Sequence, residues 1–428
     1  MKSVLAGDVR GMKQMLMHVH GEMLQTAVLE NGRLVEFFME RSKASSLVGN
    51  VYKGRVVNVL PGMQAAFVDI GLSKNAFLYI DELLHPHLDK QPEHKPLIQE
   101  LVRPGQELIV QVMKEPLGGK GARVTTHFTL PGRWLVYMPS SDYVGVSKKI
   151  GSESDRTRLR TIGEKLRQNK EGIILRTAAG SESELSLHAD VSQLRELWQA
   201  IEGRGKKEHA PAELHREAGL MHRVVRDTLT ADMDEIWIDD AVRYEEALSL
   251  LQEMTPKLLE RLKRYEKLSG SGVSLFEAYR VSEQIAAAFE RRIPLESGGH
   301  LIWEETEALT VIDVNTGKFT GTSDLEDTVF RTNMEAADEI ARLLRVRDVG
   351  GIIIIDFIDM EQEKHREQVM HRLTDKARSD QTKCSILGWT RLGLLELTRK
   401  KARENAVQQL SERCAGCGEI VRRNTSFK

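Results

Sequence analysis

The chain has 428 residues, of which 41% are hydrophobic and 29% charged, and its formal net charge is −2. This composition is typical of globular proteins and excludes a largely disordered chain. Because the total charge is near zero, a nucleic-acid-binding surface would have to gather its positive charge into patches. Three cysteines are too few for a disulfide scaffold. No apolar run approaches the roughly 18 residues of a membrane span, and no signal-peptide pattern opens the chain. We therefore expect a cytoplasmic protein of about three domains.

The first predicted elements are strands. An Asn-Gly pair, Asn31-Gly32, separates the strand-like stretches 23–28 and 33–38. This arrangement predicts a β-hairpin closed by a two-residue turn. From 48 to 126, short strand-like runs alternate with Gly and Pro, which is the pattern of a small β-barrel.

The middle of the chain has a mixed pattern. Strands are predicted at 135–138 and 172–176, around a charged helix at 155–169. The charged stretch 202–217 is predicted to be a linker, and the charged segment 256–268 to be helical. No internal repeat is present, so these elements belong to an irregular, multidomain chain.

From residue 298 to 399, strands and helices alternate. The strand 308–314 leads to a helix opened by the capping box Ser323-Asp324-Leu325-Glu326. The run of four isoleucines at 352–355 is predicted to be a fully buried strand. Apolar residues at helical spacing predict the buried face of the helix between these strands: Leu325, Val329, Ala336, Ile340, Leu343 and Leu344.

Two strands of the predicted barrel each carry an aromatic side chain opposite an aliphatic face. Phe67 and Phe77 alternate with small and aliphatic residues, and successive strand residues point to opposite faces. RNA bases stack on such aromatic side chains. Alternatively, the two phenylalanines pack beneath a loop or a neighbouring domain. Basic residues of the same segment could neutralise phosphates: Lys53, Arg55, Lys74, Lys114 and Lys120.

Two predicted strands end in aspartate, one β-α unit apart. Asp313 ends one strand, with Asn315 two residues later, and Asp356 ends the next. If the helix between them is a crossover, the strands are parallel and both carboxylates lie at one sheet edge. Such a pair favours a cation, and Mg²⁺ prefers oxygen ligands and assists phosphodiester hydrolysis. The alternative is that both aspartates cap turns or helices.

Cys414 and Cys417 have zinc-knuckle spacing. A closed structural zinc site needs four ligands, and the third cysteine, Cys384, lies thirty positions away. One solution is that two subunits share one Zn²⁺, each contributing half of the site. A redox role is the alternative, although the surroundings do not look like a thioredoxin unit.

Taken in order, these segments resemble the ribonuclease E/G family. The resemblance runs from about Met12 to Cys417 and is carried by the stretches 53–55, 64–71, 175–178, 307–315, 333–340, 350–360 and 393–396. It implies an endoribonuclease of rRNA and tRNA processing and mRNA decay. Such an enzyme cuts single-stranded RNA and leaves 5′-phosphate and 3′-hydroxyl ends. The alternative function is a non-catalytic S1-type RNA-binding or ribosome-associated factor.

The resemblance also implies an α+β multidomain fold. An S1 (OB-type) barrel would be inserted in a ribonuclease H-like subdomain that lacks that enzyme's activity. The implied parts are, in chain order, the first part of the ribonuclease H-like subdomain (1–47), the S1 barrel (48–126), a 5′-sensor region (127–215), the rest of the ribonuclease H-like subdomain (216–280), a deoxyribonuclease I-like α/β catalytic subdomain (281–400), and a zinc-link with a basic tail (401–428).

Site residues follow from the matching motifs. Those that the resemblance implies are Asp313, Asp356 and Asn315 for catalysis, with both aspartates on Mg²⁺; Phe67, Phe77 and Lys120 for RNA; Arg176 and Thr177 for a 5′-monophosphate; and Cys414 and Cys417 for a structural Zn²⁺ shared between subunits.

The zinc link implies that the working unit is a homodimer. The chain stops eleven residues after Cys417, where family members usually continue, which favours the dimer over the family's tetramer. Lys383 stands where an arginine often assists binding of the 5′ end. Because lysine keeps the charge and loses the bidentate geometry, we expect a weaker preference for the 5′ end.

Overall fold

In the computed structural model the chain divides into two compact units. Unit 1 comprises Met1–Lys43 and Asp232–Lys428, and unit 2, Ala44–Ala231, is inserted between these two parts. Both units combine helices and strands, so the predicted α+β class is confirmed. The structure describes residues 11–21, 23–41, 46–85, 94–116, 120–266, 272–306, 308–316, 325–380, 382–400, 411–413 and 420–422.

Unit 1 begins with three antiparallel strands, β1 (Lys13–His20), β2 (Met23–Glu30) and β3 (Arg33–Arg41). The predicted hairpin turn is confirmed, since Asn31 and Gly32 both have positive φ angles, 55° and 73°. Two consecutive residues in this conformation form the two-residue turn that matches the twist of the flanking strands.

Unit 2 contains the predicted barrel. Its elements are β4 (Val51–Leu60), β5 (Ala65–Asp69), β6 (Ala76–Tyr79), the short helix α1 (Ile98–Leu101), β7 (Glu107–Lys114) and β8 (Arg123–Thr125). The strands pair in the order β4-β5-β6-β8-β7, and β7 pairs again with β4, which closes a five-stranded, OB-like barrel. A Cβ on Gly121 would lie 1.9 Å from the carbonyl oxygen of Asn75. Only glycine therefore permits the approach to β6 immediately before β8.

A second sheet of unit 2 has four short strands in the order β11-β12-β10-β9. These strands are β9 (Leu130–Pro131), β10 (Leu135–Met138), β11 (Tyr143–Val146) and β12 (Gly172–Leu175). Two helices pack with this sheet around one apolar core, α2 (Glu153–Leu166) and α3 (Glu184–Lys207). Ser152 and Ser183 cap them, because each side chain accepts a hydrogen bond from a backbone amide of the first turn.

The predicted linker at 202–217 is wrong. Helix α3 continues through Lys207, and β13 (Ala212–His215) pairs with β4. The last part of α3 looks like a linker because only Ile201 and Gly205 are buried there. Unit 2 then ends with α4 (Leu220–Arg223) and a π-helical turn, Val224–Thr228.

In unit 1, β14 (Glu235–Ile238), α5 (Ala241–Met254) and β15 (Leu262–Arg264) follow. The strands complete the N-terminal sheet in the order β15-β14-β1-β2-β3, with β14 parallel to β1. The prediction of a helix over 256–268 is wrong. A 3₁₀-helix, Pro256–Arg261, gives way to β15, because pairing with Ile236 buries Leu262 in the sheet. Residues 267 and 268 lie outside the described residues.

The C-terminal part of unit 1 is a six-stranded sheet in the order β16-β17-β18-β19-β21-β20. Strands β18 and β19 are parallel, and the other pairs are antiparallel. Among the described helices, none is long and apolar enough to cross a membrane. The elements are α6 (Leu275–Ala278), α7 (Val281–Ala288), β16 (Arg292–Pro294), β17 (His300–Glu305), β18 (Leu309–Asn315), α8 (Leu325–Val346), β19 (Gly351–Asp356), α9 (Glu363–Ala377), β20 (Cys384–Trp389) and β21 (Leu395–Arg399), followed by the separate pair β22 (Ser411–Arg413) and β23 (Ile420–Arg422).

One face of this sheet packs with α8, and the opposite face is more open. Ile353 and Ile355 of β19 are fully buried in the core shared with α8, but Ile352 is 51% exposed and Ile354 is half-buried. The prediction of a fully buried strand at 352–355 is therefore wrong. Four isoleucines in a row carry no alternation that could have distinguished the two faces.

The predicted buried face of α8 is confirmed at five of its six positions. Leu325 is the exception, with 78% exposure, because it is the first residue of the helix. The capping residues Ser323 and Asp324 lie outside the described residues. The buried positions are Val329, Ala336, Ile340, Leu343 and Leu344.

Candidate active site and RNA interface

Asp313 and Asp356 lie side by side at the carboxyl ends of β18 and β19. The two strands are parallel, and Asp313 is in direct register with Asp356. The predicted adjacency of the two strand ends is therefore confirmed. Neighbouring strands are about 4.8 Å apart, and residues in register point to the same side. Both carboxylates therefore project from the open face of the sheet, opposite α8.

Asn315 holds the side chain of Asp313. The two residues share a sheet face, and Asn315 Nδ2 donates a 2.7 Å hydrogen bond to Asp313 Oδ2. This bond restrains the rotation of the carboxylate. Asp313 is half-buried and Asp356 is exposed, so the pair is accessible from solvent while one member is held in place.

The charges at this edge favour a cation. The pKa of Asp356 is raised, first by partial burial and then by the charges of Asp313 and Asp359. A positive ion would relieve this repulsion. Within the described residues, no three His, Cys, Asp or Glu side chains form a metal-binding group. Two carboxylates and an amide fit Mg²⁺, which binds one or two protein carboxylates and completes its shell with waters and substrate phosphate.

Replacing Asp356 with asparagine is expected to stabilise the metal-free protein slightly and to remove its stabilisation by Mg²⁺. Because folding raises the pKa of Asp356, this carboxyl contributes most to stability below its pKa in the unfolded chain. That contribution is lost as the pH rises through the raised value. Thermal unfolding at pH 7, in EDTA and in Mg²⁺, measures both effects.

The control for this variant is Asp327→Asn. Asp327 is an aspartate of α8 that pairs with Arg331 at 2.9 Å. We expect its unfolding temperature to rise in Mg²⁺ by as much as we expect for the wild type. An equal rise in the Asp356→Asn variant would show that the metal binds elsewhere.

His300 lies next to Asn315 on the strand that neighbours Asp313, and no sequence motif indicates it. It is opposite Asn315 in the β17–β18 pairing, and its Nδ1 is 3.5 Å from Arg292 Nη2. Partial burial and the charge of Arg292 lower the pKa of His300, against the opposing effect of Asp313. The imidazole of His300 is therefore neutral at pH 7 and can both donate and accept hydrogen bonds. It lies on the strand next to Asp313 and Asn315.

Phe67 and Phe77 lie opposite each other on the outer surface of the barrel. They are in register on β5 and β6, and their ring centroids are 6.0 Å apart with an interplanar angle of 70°. Both side chains are half-buried. The predicted alternation is confirmed, since the intervening residues are fully buried in the barrel: Ala66, Val68, Ala76 and Leu78.

Basic side chains extend this pair across the barrel. Arg123 is in register with Phe77, and Lys114 with Arg123; we call Phe67, Phe77, Arg123 and Lys114 the aromatic-basic row. Lys120 is exposed just before β8. Arg123 donates a 2.9 Å hydrogen bond to Glu82, and no sequence motif indicates its role. Its position beside the aromatic pair depends on the β6–β8 pairing.

Lys53 and Arg55 are engaged by an acidic neighbour. Glu107 lies 2.9 Å from Lys53 Nζ and 3.1 Å from Arg55 Nη2. Hydrogen bonds from these two side chains lower the pKa of Glu107 to about 2. Their positive charge is thus offset within the barrel, and Lys114 and Lys120 are better placed to contact phosphate.

Arg176 and Thr177 follow β12 in unit 2. Arg176 Nη1 donates a 2.7 Å hydrogen bond to the carbonyl oxygen of Gly132 and forms an ion pair of 2.7 Å with Asp227. Thr177 is exposed, and its hydroxyl is 2.9 Å from that of Ser147. Arg176 and Thr177 are therefore consecutive residues at one strand end, and their side chains contact different partners there.

Two further arginines lie near Asp227, and one of them pairs with it. Arg226 lies 2.9 Å from Asp227 and 2.6 Å from Glu217. Arg133 is almost fully buried and donates to three backbone carbonyls between 225 and 229. Burial, followed by the charge of Arg176, lowers the pKa of Arg133 to about 10. Of these three arginines, Arg176 has the most accessible guanidinium. The π-helical turn, Val224–Thr228, brings the network together.

The predicted zinc ligands, Cys414 and Cys417, lie outside the described residues. Cys384 is described and is half-buried on β20. Burial raises the pKa of its thiol to about 11. This thiol is therefore protonated at neutral pH and is a poor nucleophile.

Comparison with known proteins agrees with the segments identified above. Residues 129–402 match the model of the ribonuclease E/G family. The chain is 43% identical over 410 residues to ribonuclease G of Escherichia coli K12. The aligned region covers 94% of this chain and 83% of that protein. It is 37% identical over 417 residues to ribonuclease E of Haemophilus influenzae, with 96% of this chain and 44% of that protein covered. The chain therefore belongs to the ribonuclease E/G family.

Proposed function

We propose that this protein is a Mg²⁺-dependent endoribonuclease that hydrolyses phosphodiester bonds in single-stranded RNA and leaves 5′-phosphate and 3′-hydroxyl ends. Its membership of the ribonuclease E/G family makes it an endoribonuclease. The metal dependence, the strand preference and the product ends are the new parts of the proposal. The observation that supports the metal-dependent hydrolysis is the register of Asp313 with Asp356 on adjacent parallel strands.

Asp313 and Asp356 would hold the Mg²⁺ ion. When bound, the metal would supply positive charge for the scissile phosphate and lower the pKa of a water molecule. Asn315 restrains Asp313 through its 2.7 Å hydrogen bond, and the strand pairing sets the separation of the two carboxylates. His300 can donate a hydrogen bond to substrate on the same part of the sheet.

The aromatic-basic row would bind the RNA strand. Bases would stack on Phe67 and Phe77, and Lys114, Lys120 and Arg123 would contact the phosphates. Stacking on aromatic side chains needs unpaired bases and tolerates different sequences. This surface supports the preference for single-stranded RNA.

The direct test uses a short, A/U-rich, single-stranded RNA with a label at its 5′ end. We expect purified protein to cut it internally in Mg²⁺ and to leave it intact in EDTA. Ligation of the products to an adaptor that requires a 5′-phosphate would establish the chemistry of the ends. Tight binding without cleavage would instead support the non-catalytic RNA-binding factor.

Arg176 and Thr177 would bind a 5′-monophosphate, with Asp227 orienting the guanidinium. Replacing Arg176 with lysine is expected to reduce cleavage of 5′-monophosphorylated RNA roughly 10- to 150-fold, because lysine keeps the charge and loses the bidentate hydrogen bonds, which are worth about 1.5–3 kcal/mol. Cleavage of the same RNA with a 5′-hydroxyl should not change. Initial rates on both substrates measure the effect.

The matched control for Arg176 is Arg167→Lys. Arg167 is another arginine of unit 2, and it pairs with Asp142 and Glu164. We expect this variant to retain the wild-type ratio between the two substrates. If Arg176→Lys also retained that ratio, the 5′-phosphate would bind elsewhere.

The finer division of the chain is also part of the proposal. The barrel at 48–126 would be an S1 domain, and 127–215 the 5′-sensor region. Residues 1–47 and 216–280 would form the ribonuclease H-like subdomain, and 281–400 the deoxyribonuclease I-like catalytic subdomain.

Cys414 and Cys417 would bind a structural Zn²⁺ shared with a second copy of the chain. Four thiolates from two subunits complete a tetrahedral site, which would make the homodimer the working unit. We place its action in the cytoplasm, in rRNA and tRNA processing and mRNA decay.

A further inference from the structure

Helix α8 carries a fully buried asparagine whose side chain binds a backbone segment outside the helix. Asn333 Nδ2 donates a 2.8 Å hydrogen bond to the carbonyl oxygen of Ile358, and its Oδ1 accepts a 3.1 Å bond from the amide of the same residue. Both polar groups of Ile358 are thereby paired as they would be in a β-ladder. Ile358 lies two residues after Asp356, where β19 has ended.

A second side chain of α8 holds the same segment further along. Glu326 accepts hydrogen bonds from the backbone amides of Glu361 and Gln362, at 3.2 and 3.3 Å, and its Oε1 is 2.7 Å from His365 Nδ1. The segment 357–362 is therefore attached to α8 at two points, seven residues apart on the helix.

The same helix also supports the strand on the other side of the carboxylate pair. Glu335 accepts hydrogen bonds from the backbone amides of Glu296 and Ser297, the latter at 3.0 Å. This turn leads into β17, which carries His300. Three side chains of α8 therefore reach backbone on both sides of the site.

We propose that α8 positions Asp356 for the metal by holding the segment 357–362 through Asn333 and Glu326. The inference rests on the proposed metal role of Asp313 and Asp356. Asp356 is the last residue of β19. Strand pairing therefore restrains the chain before it and does not restrain the chain after it. Without the metal, repulsion among Asp313, Asp356 and Asp359 acts to spread this edge. The bonds to α8 oppose that movement and keep Asp356 beside Asp313.

Three substitutions test the proposal. Asn333→Leu preserves the volume and removes both hydrogen bonds to Ile358, and Glu326→Ala removes the second attachment. Glu326→Gln keeps one of the two oxygens, which accept from different backbone amides, and is the conservative partner of Glu326→Ala. Thr332→Val is the control, because Thr332 is fully buried on α8 and its hydroxyl donates a hydrogen bond to the carbonyl oxygen of Thr328 within the same helix.

The readouts are Mn²⁺ binding to the full-length chain, followed by electron paramagnetic resonance, and RNA affinity in EDTA. Residues that orient metal ligands typically change metal affinity by about 10–100-fold when mutated. We expect a weakening in that range for Asn333→Leu and a smaller one for Glu326→Ala. RNA affinity should not change. Thr332→Val should bind Mn²⁺ like the wild type, and Glu326→Gln should bind it more tightly than Glu326→Ala.

Wild-type Mn²⁺ affinity in folded Asn333→Leu and Glu326→Ala would overturn the inference. If Asn333→Leu does not fold, Glu326→Ala decides alone, since Glu326 lies in the first turn of α8. The double variant Asp313→Asn, Asp356→Asn separates this inference from the function on which it rests. Loss of Mn²⁺ binding there, with no loss in the α8 variants, would contradict the positioning role only.

Discussion

Replacing both Asp313 and Asp356 with asparagine is expected to abolish cleavage of single-stranded RNA and to leave RNA binding intact. Asparagine preserves the shape of each side chain and removes the two charges that attract a divalent cation. A catalytic metal stabilises the transition state by several kcal/mol. A loss of roughly 4 kcal/mol of this stabilisation corresponds to about a thousandfold decrease in rate. Single-turnover cleavage in Mg²⁺ and an RNA titration in EDTA measure the two quantities separately.

A double variant with the same change in charge serves as the control for this result. Asp327→Asn with Asp338→Asn alters two aspartates of α8 that pair with Arg331 and Arg372. We expect it to cleave at close to the wild-type rate. Full cleavage by the Asp313→Asn, Asp356→Asn protein would mean that other residues bind the metal. Loss of cleavage together with loss of RNA binding would instead point to damage to the fold.

Replacing Phe67 and Phe77 with alanine is expected to weaken RNA binding roughly 30- to 1000-fold. Stacking of a base on an aromatic side chain is worth about 1–3 kcal/mol, and the two rings are in contact, so their effects are not independent. Both side chains are half-buried and lie outside the barrel core, so the folded state should persist. Fluorescence anisotropy with a labelled single-stranded RNA measures the change.

Two exposed apolar residues of unit 2 provide the comparison for the aromatic pair. Met63 and Tyr143 are 58% and 43% exposed and lie outside the aromatic-basic row. The variant Met63→Ala, Tyr143→Ala should bind RNA like the wild type. If the Phe67→Ala, Phe77→Ala protein also bound normally, the row would not be the RNA-binding surface, and the phenylalanines would have a packing role.

The elements that could be predicted from the sequence are those determined by local patterns. The Asn31-Gly32 turn depends on two adjacent residues, and the barrel strands depend on strict alternation. The stretch 202–217 was misassigned because its part of α3 buries few side chains and its strand, β13, becomes recognisable only when paired with β4. Burial on one face of β19 could not be predicted, because every residue of 352–355 is isoleucine.

The carboxylate site is a similar case. Asp313 and Asp356 could be identified because each ends an apolar strand, and a single crossover makes those strands neighbours. Arg123 and Asp227 could not be identified, because each reaches its site through contacts between distant segments. His300 lies on the strand next to β18 in the chain, but no local pattern indicates the register that places it opposite Asn315. His300 depends on the antiparallel β17–β18 pairing, and Asp227 reaches Arg176 from a π-helical turn. The spacing of residues in a single sequence does not predict those contacts.

The parallel pairing of β1 with β14 has a consequence for synthesis of the protein on the ribosome. Gln14 lies opposite Glu235, 221 residues later in the chain. At roughly 5–20 residues per second, about 10–45 s pass between the synthesis of the two strands. During that time all of unit 2 emerges, while one edge of β1 has no partner. Met15, Leu16 and Met17, which are fully buried in the finished protein, must therefore be kept from aggregating in the nascent chain.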